Sequence, residues 1–366
     1  MKKKYEKPQV YMEKFELAEH IAGCKLTLHQ ADVFNCDATG TIGSVTLPEE
    51  TNAWFAESTE ACEIPVEDYC YTCYNKFLMK KEKYLYTYEI AGIIFSIYSE
   101  HEIKTTENFF PFIYHGAKKD YMIQLKEKES MLFPMENVLF ENLIFKAGKD
   151  HEGYYRTFCD HKENDRPYAR TRIYDDGLEE ICYLKEFRSS FSESQNTFSH
   201  IGFEELLLRK NAIVLHASLI ESKYGGILFT GPSGIGKSTQ ADMWAKYEKA
   251  QILNGDRPIL KIENDNWYAY GSPYAGSSEY HVDKRTSIKA IVVLEQSQSC
   301  SIEQLRASRA FLKLYSGMTV NTWHPEFVEQ VADLTKDLTE KFPVWLLKCT
   351  PDYEAVKILK SVLERE

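Results

Sequence analysis

The 366-residue sequence has no apolar run of about eighteen residues, so it predicts no helix that could span a membrane. Residues 1–8 carry the positive charge of a secretory signal, but no apolar segment follows, so we expect a cytoplasmic protein. An excess of basic residues is also lacking: the formal net charge is −11, which argues against general nucleic-acid binding. The length indicates two domains, or one large domain with an appendage.

Lysine and arginine are absent from residues 26–75, which hold nine acidic residues and show little periodicity. This composition does not predict a segment with its own core. We therefore predict a loosely ordered arm over residues 1–78, with a short helix near residues 13–21. The alternative is an irregular cap that packs on the rest of the chain.

A second Cys-x-x-Cys motif is missing, although the chain has nine cysteines. Cys70 and Cys73 form the single motif of this kind, and the nearby His20 and His29 lack the spacing of a zinc finger. Cys70 and Cys73 could be a metal half-site or a redox pair. Free thiols in a reducing cytosol are the favoured interpretation.

Residues 79–198 are rich in short alternating segments and predict a β-rich domain with an antiparallel sheet. The candidate strands are 84–90, 93–98, 122–128, 137–140 and 168–174. Turn signals separate them at 115–116, 147–150 and 175–177. No catalytic constellation is visible in this region.

Strands and helices alternate irregularly after residue 198, which predicts a mixed α/β domain over residues 199–366. The predicted helices are 203–210, 237–247, 326–341 and a last one capped by Asp352. The predicted strands are 213–220, 226–230, 252–254, 258–263, 267–271, 290–294 and 344–348.

Residues 231–238 read Gly-Pro-Ser-Gly-Ile-Gly-Lys-Ser and match the phosphate-binding loop pattern G-x-x-x-x-G-K-[ST] in full. An apolar run precedes the motif and a helical pattern follows it, an order that directs a helix N-terminus at an anion. Lys237 would reach the β- and γ-phosphates of a nucleotide, and Ser238 would ligate Mg²⁺. A glycine-rich turn is the alternative. The predicted phosphate-binding residues are Gly231, Pro232, Ser233, Gly234, Ile235, Gly236, Lys237, Ser238 and Thr239.

Phosphoryl transfer also needs a second carboxylate, which holds Mg²⁺ or accepts a proton. Asp256 is the candidate, in Leu-Asn-Gly-Asp-Arg-Pro, with Arg257 beside it to neutralise charge. The alternative is a turn in which Asp256 caps its own backbone. His216 lies on the strand expected to pair with the strand that leads into the loop. Taken alone, His216 is more often a structural residue than a catalytic one.

Four segments in this order resemble the C-terminal catalytic domain of HPr kinase/phosphorylase: His216-Ala-Ser, residues 231–239, Asn254-Gly-Asp-Arg and residues 270–278. They are most similar to a branch of HPr kinase-like proteins found beside peptide-modification systems. The resemblance spans about residues 212–363. It implies a fold related to ATP-type phosphoenolpyruvate carboxykinase, with ATP and Mg²⁺ as cofactors.

The resemblance also implies roles for single residues. Ser238 would bind Mg²⁺, Asp256 would be the base or a metal ligand, and His216 would be functional. The predicted catalytic residues are therefore Asp256, His216 and Lys237. HPr kinases carry two adjacent acids, whereas Gly255 precedes Asp256 here. Residues 1–198 do not resemble the N-terminal domain of that family, which argues against HPr as the substrate.

The prediction is therefore an α/β protein that transfers the γ-phosphate of ATP to a serine or threonine hydroxyl of a peptide or protein. The alternatives are a P-loop ATPase or small-molecule kinase, and a non-catalytic nucleotide-binding module that recruits a peptide through its β-rich half. The arm could be a tethered substrate through Thr39, Thr41, Ser44 and Thr46, although a variable tail is favoured. Neither a nucleic acid nor a membrane is an expected partner, and the resemblance implies a homo-oligomer.

Overall fold

The computed structural model describes residues 27–365 with gaps at 33–34, 40, 43–44, 47–83, 161–164, 175–176, 275 and 277. The chain forms two compact units, Met1–Glu82 and Lys83–Glu366. The helix predicted near residues 13–21 and the pair Cys70 and Cys73 lie outside the described residues. Among the helices that are described, none is long and apolar enough to cross a membrane.

The first unit contains two short antiparallel ladders, neither of which the sequence predicted. Strand β1 (Thr27–Asp32) pairs with β2 (Asn35–Thr39), with Thr27 opposite Thr39. Strand β3 (Thr41–Ile42) pairs with β4 (Val45–Thr46). The apolar residues of this region lack a period of two, so pattern alone gave no signal for these strands. That residues 1–78 form an arm stays a prediction.

An eight-stranded sheet occupies the first half of the second unit. Its strands are β5 (Tyr84–Ile90), β6 (Ile93–Ser99), β7 (Tyr121–Lys128), β8 (Val138–Glu141), β9 (Phe145–Asp150), β10 (Gly153–Asp160), β11 (Arg166–Ile173) and β12 (Leu178–Leu184). The order across the sheet is β5-β6-β7-β12-β11-β10-β9-β8. Because β7 is parallel to both β6 and β12, the sheet is mixed, and the prediction of an antiparallel sheet is wrong.

Three strands of this sheet, β9, β10 and β12, escaped prediction, and one predicted turn is wrong. Residues 147–150 lie in β9, and the chain reverses only after Asp150. In β10 the five residues from Tyr155 to Cys159 are all buried, including Arg156 and Thr157. A strand that is buried on both faces and carries buried polar residues has no alternating pattern to detect. Strand β12 has the same character, because Glu179 is fully buried in it.

A nine-stranded sheet and most helices form the second half. The strands are β13 (Ala212–Val214), β14 (Ala217–Ser222), β15 (Gly225–Thr230), β16 (Gln251–Asn254), β17 (Ile259–Glu263), β18 (Asn266–Tyr270), β19 (Arg285–Gln296), β20 (Ser301–Gln304) and β21 (Val344–Cys349). The helices are α1 (Ser194–Phe198), α2 (Phe203–Leu208), α3 (Lys237–Glu248), α4 (Ala307–Tyr315), α5 (Pro325–Lys341) and α6 (Tyr353–Leu363). Two 3₁₀ segments, Glu107–Phe112 and Lys185–Phe191, belong to the first half.

The order of the second sheet is β13-β17-β18-β19-β15-β14-β16, with β21 joined to both β19 and β20. Strands β15, β19 and β21 are mutually parallel. The cap of α6 is as predicted: the Asp352 carboxylate accepts a hydrogen bond from the Glu354 N–H at 2.9 Å. Strand β20 and helices α1 and α4 were missed.

Strand β15 is covered on both faces, which positions its C-terminal end between two layers of helices. Leu228 packs into a cluster with α4 and α5, while Ile227 and Phe229 pack with Trp244 of α3 and with α6. A third cluster joins the two sheets and includes Phe95 and Ile259. The two sheets and their helices confirm a mixed α/β fold class. The domain boundary placed after residue 198 stays a prediction.

Candidate functional site

The glycine loop follows β15 directly and ends where α3 begins at Lys237. Gly231, Gly234 and Gly236 have φ values of 146°, 75° and 109°, a region that residues with a Cβ atom rarely adopt. The backbone can therefore turn tightly at these three positions, because glycine has no Cβ atom to strain the turn. Successive amides in such a turn form a concave anion site at the N-terminus of a helix. The structure thus places the strand, loop and helix in the order that the sequence predicts.

Lys237 folds back over this loop. It is only 7% exposed, and its Nζ donates to the carbonyl oxygens of Gly231 and Pro232, both at 3.2 Å. Burial lowers the pKa of Lys237, and the nearby Asp256 carboxylate opposes that shift. The ammonium group is therefore held in the loop by acceptors that a phosphate could replace.

His216 lies at a break between β13 and β14, not within a continuous strand over residues 213–220 as predicted. Its backbone N–H donates to the Gly317 carbonyl at 2.8 Å, and its carbonyl accepts from the Thr230 hydroxyl at 2.9 Å. These two hydrogen bonds hold His216 beside Thr230, the last residue of β15, which is the strand that precedes the glycine loop. The imidazole Nε2 then lies 3.1 Å from Asp256 Oδ1.

The pair of His216 and Asp256 is partly buried and is flanked by positive charge. Burial lowers the pKa of His216, Lys237 lowers it further, and Asp256 opposes both effects. A neutral imidazole can donate its Nε2–H to the carboxylate oxygen that faces it. The other oxygen, Oδ2, lies 3.4 Å from Nε of Arg257, whose side chain is about half exposed.

The loop that carries Asp256 is fixed by neighbours and not by the Asp256 side chain. Asn254 Oδ1 accepts hydrogen bonds from the backbone N–H groups of Asp256 (3.0 Å) and Arg257 (2.7 Å). Ala217 N–H donates to the Asp256 carbonyl at 2.9 Å. The turn at residues 254–257 is therefore present, but the Asn254 side chain caps it. The Asp256 carboxylate is then available to contact His216. Sequence analysis did not single out Asn254, although Asn-Gly is a turn signal.

These residues meet at a cleft of about 260 Å³. The residues that line it are His216, Ser233, Gly234, Gly236, Lys237, Ser238, Thr239, Gly255, Asp256 and Ser278. Of the other predicted phosphate-binding residues, Gly231 and Pro232 hold Lys237, whereas Ile235 packs against the core beneath α3. The cleft thus brings His216, Lys237, Ser238 and Asp256 together.

The segment 270–278, one of the four that carry the family resemblance, contributes Ser278 and Gly276 to this region of the site. Ser278 lines the cleft, and Gly276 lies directly against Asp256. A Cβ atom at Gly276 would lie 2.9 Å from the Cβ of Asp256, closer than real Cβ atoms approach one another. Gly276 also has φ of 61°. A glycine is therefore required here by both space and conformation.

The oxygen donors in the cleft suit Mg²⁺. The Ser238 hydroxyl and the Asp256 carboxylate both line it, and Mg²⁺ in nucleotide sites takes one or two such ligands together with phosphate oxygens and water. Within the described part of the chain, no cluster of three or more histidine, cysteine, aspartate or glutamate residues could hold a metal by itself. A cation here would therefore need phosphate oxygens to complete its coordination.

Comparison with known proteins adds little to this geometry. No family model matches the chain, and no curated protein matches it. Among solved structures, the chain is similar to the Hpr(Ser) kinase/phosphatase from Coxiella burnetii at 15% sequence identity and a TM-score of 0.26. That match covers 42% of this chain and 88% of the other.

Proposed function

We propose that this protein is an ATP-dependent kinase that transfers the γ-phosphoryl group to a serine or threonine hydroxyl of a peptide or protein. The observation that carries the proposal is the cleft, where a glycine loop with Lys237 and Ser238 faces a carboxylate hydrogen-bonded to His216. A phosphate site and a positioned base within one cleft are the two parts that phosphoryl transfer requires.

Nucleotide binding would use the loop. The amides of residues 231–239 would surround the phosphate chain, and Lys237 would exchange its two carbonyl acceptors for phosphate oxygens. Ser238 would hold Mg²⁺, which when bound would offset the charge that develops on the phosphates. The positive charge of Arg257, close to Asp256 Oδ2, would favour an anionic group at the same end of the cleft.

The chemical step would use Asp256. As the acceptor oxygen bonds to the γ-phosphorus, its proton passes to the Asp256 carboxylate. The bond from the γ-phosphorus to the bridging oxygen breaks, and the electron pair leaves with ADP. His216 would act by donating to Oδ1, which orients the carboxylate. With its lowered pKa, the imidazole stays neutral at neutral pH and keeps this donor role.

The test uses γ-labelled ATP, Mg²⁺ and a library of serine- and threonine-containing peptides. We expect label on peptide, and about 10²–10⁴-fold slower labelling with Asp256→Asn. Asp333→Asn, an exposed position on α5, is the matched control and should keep full activity. Label that appears only as free phosphate would replace the kinase with an ATPase. The absence of nucleotide binding would remove the phosphate-loop assignment altogether.

Two further readings of the same experiment refine the proposal. An increased Mg²⁺ requirement in Asp256→Asn, with transfer retained at high Mg²⁺, would make Asp256 a metal ligand and not the base. Label on Thr39, Thr41, Ser44 or Thr46 of the protein itself would identify the N-terminal segment as a tethered acceptor, favoured by an effective concentration on the order of millimolar.

A further inference from the structure

Asn254 connects the Asp256 loop to a distant segment. It is fully buried at the end of β16, and both atoms of its amide are engaged. While Oδ1 accepts the N–H groups of Asp256 and Arg257, Nδ2 donates to the carbonyl oxygens of Ser272 (3.0 Å) and Tyr274 (3.1 Å). One side chain therefore joins residues 254–257 to residues 272–274.

Ser272 makes a second connection between the same two segments. Its side chain is fully buried, and its hydroxyl donates to the Arg257 carbonyl at 2.7 Å and accepts the Tyr274 N–H at 3.2 Å. Asn254 Nδ2 also reaches this hydroxyl, at 3.2 Å. Because buried polar groups are costly when unpaired, a network in which each member is paired favours one arrangement.

The far end of this network is anchored in the buried cluster that joins the two sheets and that includes Phe198 and Phe203. The Tyr274 hydroxyl donates to the Phe198 carbonyl at 3.3 Å, and its ring lies 5.5 Å from the ring of Phe203. Asn108 donates from Nδ2 to the Pro273 carbonyl at 2.8 Å. Residues that hold no part of the cleft therefore determine where residues 272–274 lie.

We propose that Asn254 is a positioning residue, which together with residues 272–274 holds the Asp256 carboxylate against His216 and links that position to the core of the first sheet. The proposal gives residues 83–198 a role in the site: they support the carboxylate without lining the cleft. Its kinetic consequence rests on the proposed kinase function, whereas its structural consequence does not.

The expected effect follows from the demands of phosphoryl transfer. A catalytic group displaced by about 1 Å can cost on the order of a hundredfold in rate. Asn254→Ala removes both the acceptor of the two N–H groups and the link to residues 272–274. It should therefore lower kcat by about a hundredfold. The KM for ATP should not change, because Asn254 does not touch the glycine loop of residues 231–238, called the phosphate loop from here on. Ser272→Ala removes one link and should give a smaller loss of the same kind.

The experiment measures kcat and KM together with amide hydrogen exchange at residues 254–257. Asn254→Ala should accelerate exchange of the Asp256 and Arg257 amides, and the stabilisation of the protein by MgATP should not change. Asn266→Ala is the control, since this exposed asparagine donates only to the Asn264 carbonyl in a turn. Thermal unfolding checks that each variant is folded. If Asn254→Ala does not fold, the same measurements on Ser272→Ala test the proposal.

The outcomes separate the two proposals. Faster exchange at Asp256 with no phosphoryl transfer by the unmodified protein would support the positioning role and reject the kinase. Unchanged exchange in a folded variant, or a kcat equal to that of the control, would overturn the positioning role. A rise in the KM for ATP with kcat unchanged would also overturn it, because the effect would then be on nucleotide binding.

Discussion

The phosphate loop and the loop that carries Asp256 face one cleft, but they are held in place in different ways. The phosphate loop is held by its own residues. Three glycines with positive φ allow it to turn, and Lys237 donates to the carbonyl oxygens of Gly231 and Pro232 within the loop. The Asp256 loop depends on the Asn254 side chain, two residues before Asp256, and on Ser272 and Tyr274, through which it contacts the cluster that joins the two sheets. If the protein is the kinase proposed above, this difference predicts that nucleotide binding depends on residues close in sequence and that catalysis also depends on distant ones.

The largest expected effect is at Asp256, and it separates the two loops most clearly. Asp256→Asn should reduce phosphoryl transfer by about 10²–10⁴-fold, the range that a general base contributes, and should leave nucleotide binding in place. Transfer of labelled phosphate and the shift in melting temperature with MgATP measure the two properties on one sample. Equal losses in both would contradict the separation.

The second effect concerns the pH dependence of the core that anchors residues 272–274. His200 is 6% exposed, and burial lowers its pKa to about 4. The unfolded chain therefore binds this proton near the ordinary value of 6.5 and the folded protein does not, so the free energy of unfolding falls as the pH falls from 6.5 towards 4. The loss should approach roughly 3 kcal/mol.

His200→Gln tests this assignment. Urea unfolding at pH 7 and at pH 4.5 should show a smaller pH-dependent loss of stability in the variant than in the unmodified protein. Asp333→Asn provides the control. A pH dependence that is unchanged in His200→Gln would assign the effect to another group.

The third effect tests the phosphate loop. Gly236 has φ of 109°, and no atom lies within 4 Å of where its Cβ would be. Gly236→Ala therefore introduces backbone strain and no collision, at a cost on the order of 1–3 kcal/mol. Stabilisation by MgATP, about 2.7 kcal/mol at a hundred times the Kd, should decrease. Hydrogen exchange at Asp256 should not change, and a change there would show that the two loops are coupled.

The smallest effect is expected at Tyr274. Tyr274→Phe removes the hydrogen bond to the Phe198 carbonyl and keeps the ring, so the free energy of unfolding should fall by about 1 kcal/mol. Phosphoryl transfer should decrease severalfold and nucleotide binding should not. Full activity in this variant would show that the aromatic contacts alone position residues 272–274.

Sequence pattern predicted the local parts of this structure. Alternation identified β5 and β7, and the glycine motif identified the loop before α3. The strands predicted at 258–263 and 267–271 correspond to β17 and β18, and Asn264 and Asp265, with φ of 49° and 64°, form the turn between them. Each of these features is determined by residues that are neighbours in the chain.

The parts that escaped prediction depend on residues that are distant in sequence. The parallel pairing of β7 with β12 joins strands separated by more than fifty residues, and no local signal records it. The bond between His216 and Asp256 spans forty residues, so the sequence supplied both candidates but not their contact. The proposed role of Asn254 requires Ser272 and Tyr274, which the sequence marked only as part of the resembling segment 270–278.

Gly276 offers a practical use of this division. Any side chain at position 276 would press on the Asp256 carboxylate, and this position lies outside the phosphate loop. Gly276→Ala should therefore stop phosphoryl transfer without closing the nucleotide site. Such a variant would keep ATP and the acceptor bound together and unreacted. It would serve as a substrate trap, from which an acceptor peptide could be recovered and sequenced.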